Sequence, residues 1–232
     1  MSRKPIILVF VGPNGSGKSS LAAEYQVFSC FPKPYLCPDE MVKRKRYKEI
    51  LDVNDRYKKA KKDLQVLREM HLLWNKKFTF ETVGTDPEKI AFLKRAKALG
   101  YYIEVVFVTT RDPEINIERI KKRVAKGGHD VKEDDVRRRY GLCMELLPAY
   151  IEVADVINVY DNSEENFEGS EYQPLIVFSK DHQDIYYSLN YDLQPAWVNE
   201  YIEKPLKAKG ILIQKLTQKD TNLFDGEISF SF

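Results

Sequence analysis

The sequence predicts an α/β protein of three layers, in which a parallel central sheet lies between two layers of helices. Apolar segments of strand length alternate with longer helical segments from residue 6 to about residue 160, which is typical of right-handed crossovers between parallel strands. Directly after the apolar residues 6–11, residues 12–19 match the pattern G-x-x-x-x-G-K-[ST], which places a phosphate-binding loop between a strand and a helix.

The remaining elements follow this loop in order. We predict helices over residues 19–25, 41–62, 87–99, 113–126 and 133–153, and extended segments over 35–37, 77–81, 101–108 and 155–160. Residues 101–108 are almost continuously apolar, as expected for a strand buried on both faces of a parallel sheet. We expect ligands at the carboxyl ends of the strands, where the loop, Asp39, Glu81 and Thr109 fall.

The alternating pattern weakens after residue 164. Residues 164–169 resemble an acidic linker, residues 175–178 could add one strand, and the remainder to Phe232 is not assigned. We therefore predict a domain over residues 1–180 and a C-terminal extension over 181–232, packed on that domain or on a partner. The extension is rich in aromatic residues, namely Tyr186, Tyr187, Tyr191, Trp197 and Phe224.

Composition excludes several classes of protein. The 37 basic and 35 acidic side chains leave a formal charge of +2, so no overall field selects nucleic acid or a membrane surface. No run approaches the roughly 18 apolar residues of a membrane span, and three cysteines without metal-ligand spacing favour a reducing cytoplasm. The basic cluster at residues 43–46 is interpreted as a solvated helix face, with a nucleic-acid contact or an anion site as alternatives.

The loop supplies the chemistry of phosphate binding. Its glycines allow a tight turn in which backbone N–H groups point at a phosphate, in front of a helix N-terminus. Lys18 is expected along the β- and γ-phosphates, and the Ser19 hydroxyl is expected on Mg²⁺. The predicted nucleotide-binding residues are Gly12, Pro13, Asn14, Gly15, Ser16, Gly17, Lys18, Ser19 and Ser20.

Two carboxylates and several arginines are candidates for the rest of the site. Asp39 follows the second strand, where it is either a base facing the γ-phosphate or a helix N-cap. Glu81 ends a strand and is either directed into the cleft, where it could carry Mg²⁺ through water, or a surface charge. Arg119, Arg123 and the arginines at residues 137–139 flank Gly127-Gly128. We expect some of these arginines to close on phosphate as a helical lid and at least two to be solvated, and His129 is left outside the active set.

These residues resemble the zeta-toxin-like P-loop kinases, and more narrowly the bacterial branch often labelled predicted ATPases. The resemblance spans roughly residues 5–180. It rests on GPNGSGKS at 12–19, Pro38-Asp39, Phe80-Glu81-Thr82, AKALGY at 96–101, RVAKGGHDV at 123–131, RRRY at 137–140 and YDNS at 160–163.

The resemblance implies a kinase fold like that of the nucleotide and shikimate kinases, together with ATP and Mg²⁺. For characterised zeta toxins it also implies an acceptor hydroxyl on UDP-N-acetylglucosamine. Asp39 would be the base, and Glu81 with Thr82 would bind the acceptor, a role that we extend to Arg119. Arg123 and Arg137 or Arg138 would contact the phosphates beside Lys18.

We therefore predict an ATP-dependent small-molecule kinase that phosphorylates an alcohol group, with a nucleotide sugar as a candidate acceptor. The alternative is a P-loop ATPase or a nucleotide-binding regulatory module acting through a protein partner. The chain has neither an Asn-Lys-x-Asp guanine motif nor a Leu-Ser-Gly-Gly signature, and a lid with several arginines favours transfer over hydrolysis because it excludes water. An antitoxin-like partner is a further candidate.

Overall fold

The central sheet contains five parallel strands in the spatial order β2-β3-β1-β4-β5. These strands are β1 (Ile6–Val11), β2 (Tyr35–Leu36), β3 (Phe78–Thr82), β4 (Tyr102–Thr109) and β5 (Val156–Asp161). This computed structural model describes residues 4–164, 174–190, 192–217 and 219–220. The predicted α/β fold with a parallel central sheet is confirmed within these residues.

Helices cover both faces of the sheet. They are α1 (Lys18–Tyr25), α2 (Pro38–Met41), α3 (Lys45–Lys48), α4 (Val53–Leu73), α5 (Pro87–Ala98), α6 (Pro113–Ala125), α7 (Glu133–Val153), α8 (Ala196–Val198) and α9 (Lys204–Ala208), with a π-helical turn at Asn199–Glu203. Side chains alternate between the faces along β1. Ile7 and Val9 join the main core under α4, α5 and α7, whereas Leu8 and Phe10 pack against Leu21 of α1.

The prediction of one helix over residues 41–62 is wrong in its first half. Two short helices, α2 and α3, precede α4, which begins at Val53. The Asp52 side chain accepts a hydrogen bond from the Asp55 backbone N–H at 2.8 Å. An aspartate that caps a new helix in this way cannot also continue an earlier one, because its own backbone is extended.

The described residues after residue 173 continue the same sheet. Strand β6 (Leu175–Lys180) is antiparallel to β5, β7 (Tyr186–Ser188) is antiparallel to β6, and β8 (Ile213–Lys215) is parallel to β7. The Trp197 indole N–H donates to the Asp161 carboxylate at 2.8 Å. The described residues of the extension therefore pack against the rest of this chain. The boundary at residue 180 stays a prediction, and Tyr191, Phe224 and residues 165–169 of the expected linker lie outside the described residues.

No helix in the described part of the chain is long and apolar enough to cross a membrane. Cys30, Cys37 and Cys143 are all free thiols.

We predict that replacing Ile202 by alanine lowers the free energy of unfolding by about 2–5 kcal/mol. Ile202 lies in the π-helical turn, is 0% exposed and belongs to the main core, so the substitution leaves a cavity between the extension and the rest of the fold. Leu212, in the same extension but 89% exposed, is the matched control, and Leu212→Ala should change stability by less than about 0.5 kcal/mol. Equal changes in the free energy of unfolding for the two substitutions, measured by urea denaturation, would contradict the packing of the extension against the rest of the chain.

We predict that Glu104→Gln stabilises the folded protein by an amount that increases with pH. Glu104 is 6% exposed on the face of β4 beside Leu8, its Oε1 has no hydrogen-bond partner among the described residues, and burial raises the pKa of its carboxyl to about 7. As pH rises above the ordinary pKa of 4.5, the unfolded chain releases this proton while the folded chain keeps it, so wild type loses stability.

The stability difference between Glu104→Gln and wild type should therefore grow by about 2–3 kcal/mol between pH 4.5 and pH 8, and level off above about pH 7. Denaturation curves across this range measure it. A difference that does not change with pH would show that the pKa of Glu104 is not raised in the folded protein.

Candidate active site

The phosphate loop, residues 12–19, connects β1 to α1 at the carboxyl edge of the sheet. The Gly12 backbone N–H donates to the Thr82 carbonyl of β3 at 3.3 Å. The Lys18 side chain is buried and folds back along the loop, so that its ammonium group donates to the Pro13 carbonyl at 2.7 Å. Burial lowers the pKa of Lys18, and the nearby Glu81 carboxylate opposes this effect.

Two glycines of the loop are required by close packing. Gly15 and Gly17 have φ values of +81° and +97°, which side chains rarely adopt. A Cβ on Gly15 would lie 2.6 Å from the Asn116 carbonyl oxygen of α6, and one on Gly17 would collide with the Asn162 amide. The Asn162 side chain donates to the Ser16 carbonyl at 2.8 Å, so α6 and the end of β5 support the loop from behind.

The loop fits a phosphate ligand. The Ser16 hydroxyl is buried and has no hydrogen-bond partner among the described residues, although buried polar groups are normally satisfied. This hydroxyl, the backbone N–H groups in the first turn of α1 and the Lys18 ammonium are donors that belong to neighbouring residues of the loop and the helix. Such a set of donors suits an anion with several acceptor oxygens.

Glu81 connects the loop to the neighbouring strands. Its carboxylate accepts hydrogen bonds from the Ser19 hydroxyl at 3.0 Å, from the Tyr35 phenol at 2.7 Å and from the Cys37 thiol at 3.7 Å. Burial, together with the Glu81 charge, raises the pKa of Cys37 to about 12 and also raises the pKa of Tyr35. Both groups therefore keep their protons and act as donors, and the alternative that Glu81 is a solvated surface charge does not fit these contacts.

The structure places Asp39 in the cavity and not at a helix cap. The residue that precedes α2 is Cys37, and no side chain caps this helix, so the N-cap alternative is wrong. The Tyr57 hydroxyl of α4 donates to Asp39 Oδ1 at 2.8 Å. Asp39 lines a cavity of about 450 Å³ together with Asn14 of the phosphate loop, Glu81 and Thr82.

The connection between α6 and α7 covers this cavity. The His129 ring stacks on the Tyr57 ring with centroids 4.7 Å apart, and Arg123 donates to the His129 carbonyl at 2.6 Å. Burial, followed by the charges of Arg123 and Lys61, lowers the pKa of His129, so the stacked ring is neutral at pH 7. His129, which we left outside the active set in the sequence analysis, therefore lines the site.

The three consecutive arginines of α7 have different surroundings. Arg139 lines the cavity and donates to Asn14 Oδ1 at 3.2 Å. Arg137 is bound to Glu114 at 2.7 Å, and Arg138 to Asp135 at 2.8 Å, and neither lines the cavity. Successive helical side chains point about 100° apart, so Arg139 faces the cavity, whereas Arg137 and Arg138, which we expected to contact phosphate, do not.

Arg119 does not reach the cavity either. Its guanidinium donates to the Asn162 carbonyl at 2.7 Å and to the Glu164 carbonyl at 2.8 Å. The expected role in acceptor binding is therefore not supported, and Arg119 instead holds the segment that supports the phosphate loop. Thr82 does line the cavity, and its hydroxyl accepts a hydrogen bond from the Gly84 N–H at 3.3 Å.

Sequence reasoning missed the contribution of α4 and α5 to the cavity. These helices supply Tyr57, Lys61, Lys62, Arg68 and Lys89. The sequence shows the basic run at residues 58–62. It does not show which of these side chains face the cavity. The cluster at residues 43–46 is exposed, with Lys43 paired to Glu40 at 2.5 Å, and it does not line the cavity.

Comparisons with known proteins agree with this fold. A solved structure of the PezAT chromosomal toxin–antitoxin system of Streptococcus pneumoniae is 15% identical, with a TM-score of 0.52, covering 72% of this chain and 76% of that one. The AvrRxo1-ORF1:-ORF2 complex with ATP is 12% identical, with a TM-score of 0.54, covering 78% of this chain and 60% of that one. At these identities the likeness concerns the fold.

A curated relative, an uncharacterized protein of Haemophilus influenzae, is 38% identical over 63 residues, which are 27% of this chain and 45% of that protein. The chain thus matches less than half of the length of that relative. The family model for zeta toxin matches residues 1–189, which include the phosphate loop, Asp39, Glu81 and the lid. The chain belongs to the zeta toxin family.

Proposed function

We propose that this chain is a kinase that transfers the γ-phosphoryl group of ATP to a hydroxyl of a small-molecule acceptor. The observation that carries the proposal is one shared cavity, in which the Asp39 carboxylate lies with the Asn14 end of the phosphate loop, Glu81 and two arginines, Arg123 and Arg139. Phosphoryl transfer needs this combination of a phosphate cradle, an acceptor base and cations against the transferred group.

ATP is the proposed donor. The unpartnered Ser16 hydroxyl and the buried Lys18 suit the phosphates of a nucleotide. The fold likeness to a complex solved with ATP also supports this choice. Lys18 would bind the β- and γ-phosphates, with its proton retained because the phosphates add negative charge beside it.

Mg²⁺ is the proposed metal, and the Ser19 hydroxyl with the Glu81 carboxylate would hold it. These groups lie 3.0 Å apart, and hard oxygen ligands of this kind, completed by phosphate oxygens and water, suit the ion. A bound Mg²⁺ would supply charge neutralisation for the phosphates. In that state the Tyr35 phenol, at 2.7 Å from Glu81, would keep the carboxylate oriented.

Asp39 is the proposed general base. It would take the proton of the acceptor hydroxyl as the acceptor oxygen bonds to the γ-phosphorus, while the bond from that phosphorus to the bridging oxygen of ADP breaks. The Tyr57 hydroxyl at 2.8 Å fixes one carboxylate oxygen, which leaves the other for the acceptor. Arg123 and Arg139 would stabilise the charge that spreads over the transferred group.

We propose a nucleotide sugar, with UDP-N-acetylglucosamine first, as the acceptor to test, since the family resemblance implies it. An antitoxin-like partner in the cytoplasm is a separate proposal, supported by the fold likeness to the pneumococcal toxin–antitoxin system.

We predict that Asp39→Asn reduces phosphoryl transfer by at least about a hundredfold, because an amide cannot accept the acceptor proton, while Mg²⁺-ATP binding changes by less than about threefold. Binding is measured by calorimetry, and transfer by mass spectrometry of UDP-N-acetylglucosamine and of a metabolite extract. Retained transfer would reject the base assignment. Partner-stimulated ATP hydrolysis without any phosphorylated product would reject the kinase itself.

We predict that Arg139→Gln weakens Mg²⁺-ATP binding by about tenfold, because a charge-assisted contact to phosphate is lost. Arg138→Gln is the matched control on the same helix, and it should bind within about twofold of wild type because Arg138 is exposed and paired with Asp135. Equal losses in the two variants would mean that only the overall charge of α7 matters.

A further inference from the structure

Large apolar side chains are exposed at the edge of the sheet opposite to the phosphate loop. Leu73 and Trp74 lie at the end of α4, and Leu99 directly follows α5. These helices lead into the amino ends of β3 and β4, whereas the phosphate loop lies at the carboxyl edge. The side chains of Leu73, Trp74 and Leu99 are 80%, 56% and 57% exposed. Scattered apolar side chains on a surface are common, but neighbouring ones indicate an interaction site.

The ends of α4 and α5 lie side by side. The Arg95 guanidinium of α5 binds the Glu69 carboxylate of α4 at 2.6 Å. Leu73 follows Glu69 by four residues, and Leu99 follows Arg95 by four residues. Residues four apart lie on the same face of a helix, so Leu73 and Leu99 are neighbours one turn beyond this ion pair. We call Leu73, Leu99 and the adjoining Trp74 the helix-end surface.

The backbone beneath the helix-end surface is held in place. The Tyr101 hydroxyl, at the start of β4, donates to the carbonyl of His71 in α4 at 2.9 Å and to the carbonyl of Lys76 at 3.2 Å. The rings of Trp74 and His71 lie with their centroids 6.2 Å apart. A partner would therefore meet apolar side chains on a fixed backbone, which reduces the entropy lost on binding.

The charges beside the helix-end surface are cationic. Lys76 and Lys77 connect α4 to β3, and Lys4 precedes β1, the neighbour of β3 in the sheet. The side chains of these lysines are exposed, and none forms an ion pair with another described residue. The Glu69 carboxylate, which borders the surface, is already bound to Arg95. The surface thus offers apolar contacts next to positive charge without a partner in the described part of the chain.

This combination distinguishes between possible occupants. In a two-fold dimer of this chain through the helix-end surface, the same lysines would face each other and repel. An anionic membrane would have to attract a chain whose formal charge is only +2, which gives no overall field toward lipid. A protein segment needs only local complementarity, with apolar side chains at the centre of the contact and carboxylates at its rim.

We propose that the helix-end surface binds an acidic protein segment, whose apolar side chains pack on Leu73, Trp74 and Leu99 and whose carboxylates face the lysines at positions 4, 76 and 77. This inference does not depend on the proposed kinase function, because the surface lies at the other edge of the sheet from the phosphate loop.

The experiment selects twelve-residue peptides from a displayed random library on the full chain, and discards those that also bind the double variant Leu73→Ala, Leu99→Ala. We expect the remaining peptides to be enriched in Asp, Glu and large apolar residues. A synthetic copy of one of them is then titrated into the full chain while tryptophan fluorescence is recorded. Of the two tryptophans, Trp197 is buried and Trp74 is exposed, so a blue shift on binding reports the transfer of Trp74 out of water.

Substitutions on the surface should weaken binding of the synthetic peptide. We expect a loss of about tenfold in Leu73→Ala, because an apolar contact is removed, and a similar loss in the double variant Lys76→Glu, Lys77→Glu, because like charges then face each other. Leu212→Ala is the matched control, since Leu212 is also exposed but precedes β8 at the far end of the sheet. Its affinity should stay within about twofold of wild type, and Mg²⁺-ATP binding should be unchanged in every variant.

Equal peptide affinities of Leu73→Ala and Leu212→Ala, selected peptides without an excess of acidic residues, or no peptide that depends on the surface would overturn the inference. Binding to phosphatidylcholine vesicles containing phosphatidylserine that is lost in Leu73→Ala would assign the surface to a membrane. A dimer in sedimentation that dissociates in Leu73→Ala would assign it to a second copy, and either result also overturns the inference. A chain that binds the peptide but transfers no phosphoryl group rejects the proposed function and keeps this surface.

Discussion

The close packing of the phosphate loop against three distant segments is the constraint on which the site depends. The loop hydrogen-bonds to Thr82 at the end of β3, Gly15 packs on Asn116 of α6, and Gly17 packs on Asn162 after β5. The hydrogen bond to Thr82 fixes the backbone directly, and the contacts of Gly15 and Gly17 leave no room for a Cβ. The loop therefore has its conformation only when β1 lies between β3 and β4, with β5 beside β4, so the order of the strands is what prepares the phosphate site.

The Glu81 carboxylate extends this constraint to the other half of the cavity. A partly buried carboxylate must be satisfied by donors, and those at Glu81 come from the first turn of α1, from β2 and from the residue before α2. The next turn of the chain carries Asp39. Because β2 contains two residues only, its hydrogen bonds to β3 alone hold it weakly. The contact of Tyr35 with Glu81 adds a side-chain connection between the segment that carries Asp39 and the phosphate loop.

The features that depend on a few neighbouring residues could be predicted best from the sequence. Eight consecutive residues define the phosphate loop. Asp39 follows one strand and Glu81 lies at the end of another, and the ends of these strands must share one edge of a parallel sheet. The arginines of α7 show where prediction stopped. The buried stripe Val136, Tyr140 and Cys143 places Arg138 opposite the core, but Arg137 and Arg139 flank the stripe on its two sides. Only the packing of α7 on α6 decides which flank faces the loop. In the same way, only the packing of α4 decides that Tyr57 and Arg68 face the cavity.

In the proposed kinase, the contact between Tyr57 and His129 would favour transfer over hydrolysis. Tyr57 both fixes Asp39 and stacks on His129 of the connection between α6 and α7, so the orientation of Asp39 and the coverage of the cavity depend on one side chain. The stacked imidazole is neutral because burial, followed by the charges of Arg123 and Lys61, lowers the pKa of His129, and a protonated ring would add repulsion to these two cations. In the proposed kinase, closure would thus use an uncharged surface next to a cavity rich in cations, and it would exclude water from the γ-phosphate without competing for the arginines that hold it.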